Sequence, residues 1–358
     1  MKEINHNETM NQLLQLVAPG TPFRDGLENV LRAKTGALLV VGYGEEVAEV
    51  IDGGFKIDCE FSPNYLYELA KMDGAIILSA DLKRILFANT QLIPSSHIPS
   101  IETGIRHRTA ERFAKQTGKL VVSISQRRNI ITLYQGNLRY SLKEIGVILT
   151  KANQAIRTME RYRTVLNQGF TNLSAMEFEE IATLPEVVHV IQRYELLQRI
   201  RKEIDSYVHE LGTEGRLIRM QMEELVNGVD HEGHFLIKDY IRDDSQTKVN
   251  DVKLQLSKLS NEELLDTNVV VRLLGYQHYA LSVEETITTR GYRILSKIPR
   301  LPVAIMNNLV DKFGKLSAIL MATPEDLDEV EGIGEVRAKA IRDGLRRIQD
   351  QVFVDRQI

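Results

Sequence analysis

Three side chains able to grip an anion stand together at Arg106, His107 and Arg108. They fall in the stretch Glu102-Thr103-Gly104-Ile105-Arg106-His107-Arg108-Thr109-Ala110-Glu111, which predicts a turn feeding a helix. The helix should continue through Arg112-Phe113-Ala114-Lys115-Gln116 and stop before Gly118. Cations in a first helical turn oppose the helix dipole, and acids would be the stabilising choice there. A bound anion removes that conflict, because free backbone N–H groups and cationic side chains then converge on it. One reading is therefore a phosphate site. The other is a surface ion pair, with Arg108 and His107 paired to Glu111 one turn on.

A second stretch, Lys71-Met72-Asp73-Gly74-Ala75-Ile76-Ile77-Leu78, predicts a helix end, a glycine turn and a buried strand. Asp73 enters the sheet there, either as a turn residue or as a carboxylate beside the phosphate site. Asp73-Gly74-Ala75 followed by Arg106-His107-Arg108 resembles the two signature motifs of the diadenylate cyclase domain. Their surroundings, Leu66-Tyr67-Glu68-Leu69-Ala70-Lys71-Met72 and Thr109-Ala110-Glu111-Arg112, fit the same setting. With the C-terminal hairpin described below, all three parts of the chain resemble the bacterial DNA integrity scanning family.

That resemblance implies condensation of two ATP into cyclic di-AMP with release of pyrophosphate. It implies that Asp73 orients or deprotonates a 3′-hydroxyl and that Gly74, beside Ala75, lets the backbone approach the nucleotide. Arg106, His107, Arg108 and Thr109 would hold phosphate oxygens, and Ser125 would lie near them. Backbone groups around Leu92 would read adenine. The catalytic set is then Asp73, Arg106, His107 and Arg108, assisted by Mg²⁺ or Mn²⁺ whose ligands are unknown. Joining two equivalent nucleotides calls for two cyclase domains face to face, and the resemblance implies an octamer. Ile105 offers no polar group between the two motif-like pieces.

The elements that must position these residues follow from the rest of the chain. Its 358 residues suffice for two or three domains. A formal net charge of −4 shows no global basic excess, so any DNA contact must come from a local patch or backbone groups. The single cysteine, Cys59, forbids an internal disulfide and suits a reducing cytosol. It reads as a small apolar strand residue. No apolar run is long enough to span a bilayer, and Met1-Lys2-Glu3-Ile4-Asn5-His6 lacks a signal peptide's apolar core, so a cytoplasmic protein is expected.

An amphipathic helix is predicted over about residues 8–17. Thr21 caps the next one, with Pro22 at its first position and Leu27, Val30 and Leu31 on one face. Gly36 to Tyr43 reads as a buried strand, residues 45–51 as a short helix, and Ser62-Pro63 opens a helix placing Leu66, Leu69 and Ala70 on the core. Further strands are expected over residues 75–79, 85–88, 119–125 and 130–134. The last two flank a hairpin turn at Gln126-Arg127-Arg128-Asn129, and Asn89 to Pro94 reads as an edge segment. Ser123, Ser125, Arg127 and Arg128 gather hydroxyls and charge at one sheet end, as ligand contacts or as a solvated hairpin. The fold expected is α/β around a mixed sheet, residues 1–142, as the nucleotide-binding domain.

Apolar residues then recur at helical spacing, from Ile145 through Tyr162 and from Val187 through Leu211. They predict an all-α spine over residues 143–286, with turns near Gly169, Gly212 and Gly228 and a polar loop at residues 243–248. His231-Glu232-Gly233-His234 is expected as a polar turn; glycine between the histidines and no third ligand argue against metal.

Residues 287–358 end the chain. A helix through Ile305, Leu309, Val310 and Phe313 stops at Gly314, and Thr323-Pro324-Glu325-Asp326 starts another. Val330-Glu331-Gly332-Ile333-Gly334-Glu335-Val336-Arg337-Ala338-Lys339 resembles a helix-hairpin-helix. Gly332, Ile333 and Gly334 would present backbone N–H groups to a DNA phosphate, with Arg337 and Lys339 adding ionic contacts. Such binding would be sequence-independent and salt-sensitive. The competing reading is a glycine turn that only packs two helices. Ile298-Pro299-Arg300-Leu301-Pro302 reads as a degenerate first copy. The expected partners are ATP, branched or recombination-intermediate DNA that lowers cyclase output, and further copies of the chain, with no membrane. An ATP-sensing DNA-binding scaffold without turnover is the alternative, and a nucleotidyltransferase using another hydroxyl is a third class.

Overall fold

The apolar run Ala37–Val41 is strand β1 in a computed structural model of the chain, which describes residues 9–10, 12–242, 248–276 and 285–356. Residues 243–247 of the polar loop expected at 243–248, and the N-terminal residues 1–8, lie outside the described residues. The chain folds into two compact units, Met1–Asn153 with Asp205–Arg219, and Gln154–Ile204 with Met220–Ile358.

In the first unit β1 is buried at every position because both sheet faces are covered. Its side chains alternate. Leu39 and Val41 join Phe23, Leu27 and Leu66 in one core, and Leu38 and Val40 join Ala110, Phe113 and Val121 in another. The covering helices are α1 (Pro22–Arg32), α2 (Glu45–Ala48), α3 (Pro63–Leu69) and α4 (Ile105–Thr117). Thr21 accepts the Arg24 N–H with Pro22 at the first position, so α1 starts as expected. Gly118 closes α4 in the left-handed conformation.

The remaining strands are β2 (Ile51–Asp52), β3 (Phe55–Glu60), β4 (Ala75–Leu78), β5 (Arg84–Leu92), β6 (Leu120–Ser125), β7 (Ile130–Gln135) and β8 (Leu138–Ser141). Their order is β2-β5-β4-β1-β6-β7-β8, with β3 also paired to β5. β1 runs parallel to β4 and antiparallel to β6, so the sheet is mixed. Two expectations change here. β5 extends to Leu92, and the Asn89–Leu92 part of the expected edge segment is interior, with β4 on one side and β2 and β3 on the other. β8 adds a strand that the alternation of Leu138 and Tyr140 is too short to announce.

In the second unit the expected turn at Gly169 is absent, and α5 (Ile145–Glu179) passes through it unbroken. Its missing Cβ admits a close neighbour: a Cβ there would stand 3.1 Å from Arg193 Nη1 and 3.4 Å from Val190 Cγ2 on α6 (Leu184–Leu211). The expected turns at Gly212, in the first unit, and at Gly228, in the second, are present, both with positive φ. After α7 (Arg216–Val226), His231 to His234 lie inside α8 (Val229–Tyr240), not in a turn. Gly233 is there because a Cβ would stand 2.2 Å from Tyr194 Cε2. Among the described residues no group of three His, Cys, Asp or Glu could hold a metal ion, and no helix is long and apolar enough to cross a membrane.

Helices α9 (Val249–Lys258), α10 (Asn261–Leu265) and α11 (Thr267–Leu273) precede the C-terminal group. That group is α12 (Tyr292–Leu295), α13 (Val303–Phe313), α14 (Leu316–Met321), α15 (Pro324–Asp328) and α16 (Glu335–Asp355). It holds two helix–turn–helix units around a shared core that includes Ile298, Ile305, Ile333 and Ile341. The turns share a backbone pattern. Leu301 N–H donates to the Ile298 carbonyl at 3.3 Å, and Ile333 N–H to Val330 at 3.0 Å. Arg300, at φ 61°, stands where the second turn has Gly332, at φ 80°. Ile298 to Pro302, degenerate in sequence and without the glycine pair, therefore repeats the turn in backbone.

A buried polar cluster secures α12. Arg293 donates to Ser174 Oγ at 3.0 Å and to the Glu177 carboxylate, whose other oxygen accepts Tyr240 OH at 2.7 Å. Asp239 accepts the N–H groups of Tyr292 and Arg293 at the start of α12. Burial, and then the Glu177 charge, push its carboxyl up to about 7.

Candidate active site

The turn into β4 and the start of α4 border one cavity of about 640 Å³. Asp73 and Gly74 line it from the turn before β4, Ala75 from β4 itself, Arg106 and Thr109 from α4, and Leu92 from β5. Six expected nucleotide contacts, from segments far apart in sequence, thus share one wall. Asp73 is exposed at the mouth of its turn. Gly74 has φ 92°, and a Cβ there would stand 2.9 Å from the Asn89 carbonyl carbon. Glycine at this position therefore lets β4 meet β5, in addition to facing the cavity.

The Arg106 side chain has no hydrogen bond or ion pair with another protein group among the described residues. Its guanidinium lies over Gly36, where a Cβ would stand 2.5 Å from Nη1. The N-cap of α4 is Gly104, extended and without a side-chain cap, and the first turn holds no acid. Unpaired N–H groups and an unpaired cation therefore reach the same cavity, which is the arrangement an anion completes.

The surface ion-pair reading fails, because Glu111 is engaged elsewhere. Its carboxylate takes Lys115 Nζ at 2.7 Å, the Ser100 hydroxyl and the Ile101 N–H. Arg108 turns back to the carbonyls of Glu102 (3.2 Å) and Thr103 (3.5 Å) and lies outside the lining. Ser125 is also outside it, and its Oγ accepts the Arg128 N–H across the hairpin turn.

His107 points away from the lining as well. Its Nδ1 stands 3.0 Å from Tyr134 OH, which donates to Glu102 Oε1 at 2.8 Å; Arg139 Nε reaches the same oxygen at 2.6 Å. Burial pulls the His107 pKa down, joined by the charges of Arg128, Arg139 and Arg106 and opposed by Glu102. Burial alone would raise the Glu102 carboxyl, but hydrogen bonds from Tyr134 and Arg139 outweigh it and hold it low. Burial and the Glu102 carboxylate push the Tyr134 phenol upward.

Sequence reading missed part of this wall. Asp52 and Gly53 come from β2 and its following turn, and Asn89, Thr90 and Gln91 from β5. Asn89 has φ 53° beside register slips between β4 and β5, which re-aim the strand at the cavity. The glycine pair Gly53-Gly54 was the available signal for the first segment, whereas the bulge has none in a single sequence.

Two family profiles cover most of the chain. One, described as the DisA bacterial checkpoint controller nucleotide-binding region, matches residues 24–138. The other, the DisA bacterial checkpoint controller linker region, matches residues 142–282. DNA integrity scanning protein DisA of Bacillus thuringiensis (strain Al Hakam) is 58% identical over 349 residues, covering 98% of this chain and 97% of that protein. The DisA of Bacillus cereus (strain AH820) matches to the same extent. This chain belongs to the DisA family.

Family membership makes it a diadenylate cyclase, with the cavity inside the DisA nucleotide-binding region. A solved DacA structure from Staphylococcus aureus overlaps 39% of this chain and 90% of its own, at 19% identity and a TM-score of 0.28. At the other end of this DisA-family chain, Gly334 caps α16 without a side-chain hydrogen bond. Arg337 donates to the Gly332 carbonyl, and Lys339 pairs with Glu335 at 2.8 Å.

Proposed function

We propose that the cavity holds one ATP with its phosphates toward Arg106 and the start of α4, and that two such sites face each other in a homo-oligomer. Each 3′-oxygen attacks the α-phosphorus of the other nucleotide, each pyrophosphate leaves, and two phosphodiester bonds close cyclic di-AMP. The shared wall of Asp73 and Arg106 carries this reading. Asp73 orients the 3′-hydroxyl and takes its proton. Arg106, Thr109 and the open N–H groups of α4 hold phosphate oxygens where charge develops. Leu92 and its β5 neighbours take the base.

A divalent ion, Mg²⁺ or Mn²⁺, suits this donor set. The wall offers two carboxylates, Asp73 and Asp52, and no three-residue cage exists among the described residues, which fits an ion held largely by substrate phosphates. Bound there, the ion would neutralise triphosphate charge.

Residues 1–142 serve as the cyclase domain, 143–286 as the spine and 287–358 as a DNA-binding helix-hairpin-helix domain, in a cytoplasmic octamer. The name of the relatives, DNA integrity scanning protein, supports the DNA reading. Branched DNA bound at the hairpins lowers cyclase output. Removing residues 287–358 should abolish binding of branched DNA and spare the basal reaction.

The chemistry is tested with 3′-deoxy-ATP. It should bind and give no cyclic product, while ATP under the same metal gives cyclic di-AMP. Cyclic product from the deoxy analogue, or ATP recovered unchanged, would count against the reading.

A further inference from the structure

Glu102, Tyr134 and Arg139 belong to neither motif and do not line the cavity, yet they converge on His107. The connection runs from α4 to β7 and back to the loop before α4, with Arg139 reaching in from β8. Glu102 and Tyr134 are almost wholly buried. Buried hydrogen-bond chains fix the direction of each donor, and this one can be followed proton by proton.

A phenol has one proton to donate. The Glu102 carboxylate, held ionised by Tyr134 and Arg139, accepts it. Toward His107 the Tyr134 oxygen then offers only a lone pair, so the proton in the 3.0 Å contact must come from Nδ1. Burial and the neighbouring arginines keep the ring neutral. A neutral imidazole protonated at Nδ1 carries its lone pair on Nε2. That Nε2 is buried and has no partner among the described residues, and a buried polar atom left without a partner calls for an explanation.

We propose that Glu102, Tyr134 and Arg139 are positioning residues for the cyclisation. They hold His107 as the Nδ1–H tautomer, which leaves a lone pair and no phosphate-gripping N–H at the buried Nε2, so the ring acts by anchoring the start of α4 that carries Arg106 and not by touching the nucleotide. This rests on the cyclase reading above and gives His107, which lies outside the cavity lining, a part in holding the helix start that presents Arg106. Arg139 contributes by keeping Glu102 ionised, and Tyr134 transmits that charge as a fixed hydrogen-bond direction.

The test combines a spectroscopic readout with kinetics on the full-length chain. Histidine labelled with nitrogen-15 at Nδ1 alone is incorporated, and the His107 signal is assigned as the peak lost in His107→Gln. In solid-state spectra without nucleotide, that signal should be of the protonated type in wild type and should shift toward the bare type in Tyr134→Phe. With ATP, Tyr134→Phe should lower kcat for cyclic di-AMP by about 10- to 100-fold, as a small misplacement of the helix start that presents Arg106 does. Its KM for ATP should stay within about twofold, because the tyrosine does not line the cavity. A purely structural role for the hydroxyl would move thermal stability without moving the tautomer.

A bare Nδ1 in wild type would overturn the proposal, and so would a Tyr134→Phe enzyme with wild-type kcat. If Tyr134→Phe proves unstable, Glu102→Gln gives a second reading. It keeps an acceptor for the phenol but removes the charge, and should give an intermediate kcat and a mixed tautomer signal. Wild-type activity with an unmixed signal in that variant would count against the proposal. Absence of cyclic di-AMP from wild type would instead sink the cyclase reading, and with it the role in cyclisation, whatever the tautomer.

Discussion

Two helices, α4 and α16, begin alike and are finished differently. Each has an extended glycine at its N-cap, Gly104 and Gly334, and neither cap residue satisfies the first N–H groups with a side chain. Each then brings cations into or near the first turn. At α4 that turn holds no acid, Arg106 has no protein partner among the described residues, and a cavity of about 640 Å³ lies alongside. At α16 the first residue is Glu335, paired with Lys339, and Arg337 folds onto its own turn. The first start is incomplete without an anion. The second already neutralises much of its own charge. A glycine start with basic neighbours is thus no signature of one ligand; the acid in the first turn and the surrounding walls set what it can hold.

Several substitutions would break or sharpen this contrast. The largest effect is expected from Arg106→Ala, which removes the unpaired cation. Cyclic di-AMP formation should fall by about 100-fold or more, measured as kcat/KM against wild type, and a loss under about threefold would remove Arg106 from the phosphate contacts. Next comes Gly104→Asp. Space exists for it, since the nearest atom to a Cβ there is His107 Cδ2 at 3.8 Å. A carboxylate cap would satisfy the helix by itself and repel the triphosphate, weakening ATP binding by about 10-fold while stability changes by only a few tenths of a kcal/mol. Titration calorimetry and thermal melts separate the two.

The matching change at the other end is Gly334→Asp, where nothing lies within 4 Å of a Cβ. Branched-DNA affinity should drop by about three- to tenfold at low salt, with ATP turnover untouched. The smallest effect is expected from Glu335→Gln. Removing that acid should tighten DNA binding by about twofold and steepen its salt dependence by roughly one released ion. Unchanged affinity in both variants would move the DNA contact away from this turn.

What the sequence alone could announce was local. Thr21-Pro22 and Thr323-Pro324 mark helix starts through their own side chains, and both caps are made. The buried run of β1 and the glycine closing α4 are equally local signals. Asp73 and Arg106 could be named as site residues from their motifs, but their common wall is made by strand pairing. The unread parts depend on long-range geometry. Asp52 reaches the cavity because β2 pairs with the end of β5. Tyr134 meets Glu102 across a separation of 32 residues, and Arg139 across 37. Gly169 and Gly233 read as turn residues, whereas each lies within a helix: the Tyr194 ring leaves no room for a Cβ at Gly233, and Arg193 and Val190 leave a tight fit at Gly169. A glycine's purpose depends on what stands opposite it, which no local window contains.

The account turns on Asp73 acting chemically at a site that binds ATP. The most direct measurement takes the full-length chain and its Asp73→Asn form, each with ATP and Mg²⁺ or Mn²⁺, and follows bound nucleotide and product in the same samples by chromatography and mass analysis. Wild type should convert ATP to cyclic di-AMP. The variant should bind ATP comparably and form product at least about 100-fold more slowly. Full activity in Asp73→Asn, or ATP held unchanged by wild type under both metals, would contradict the central claim and leave a nucleotide-sensing scaffold in its place.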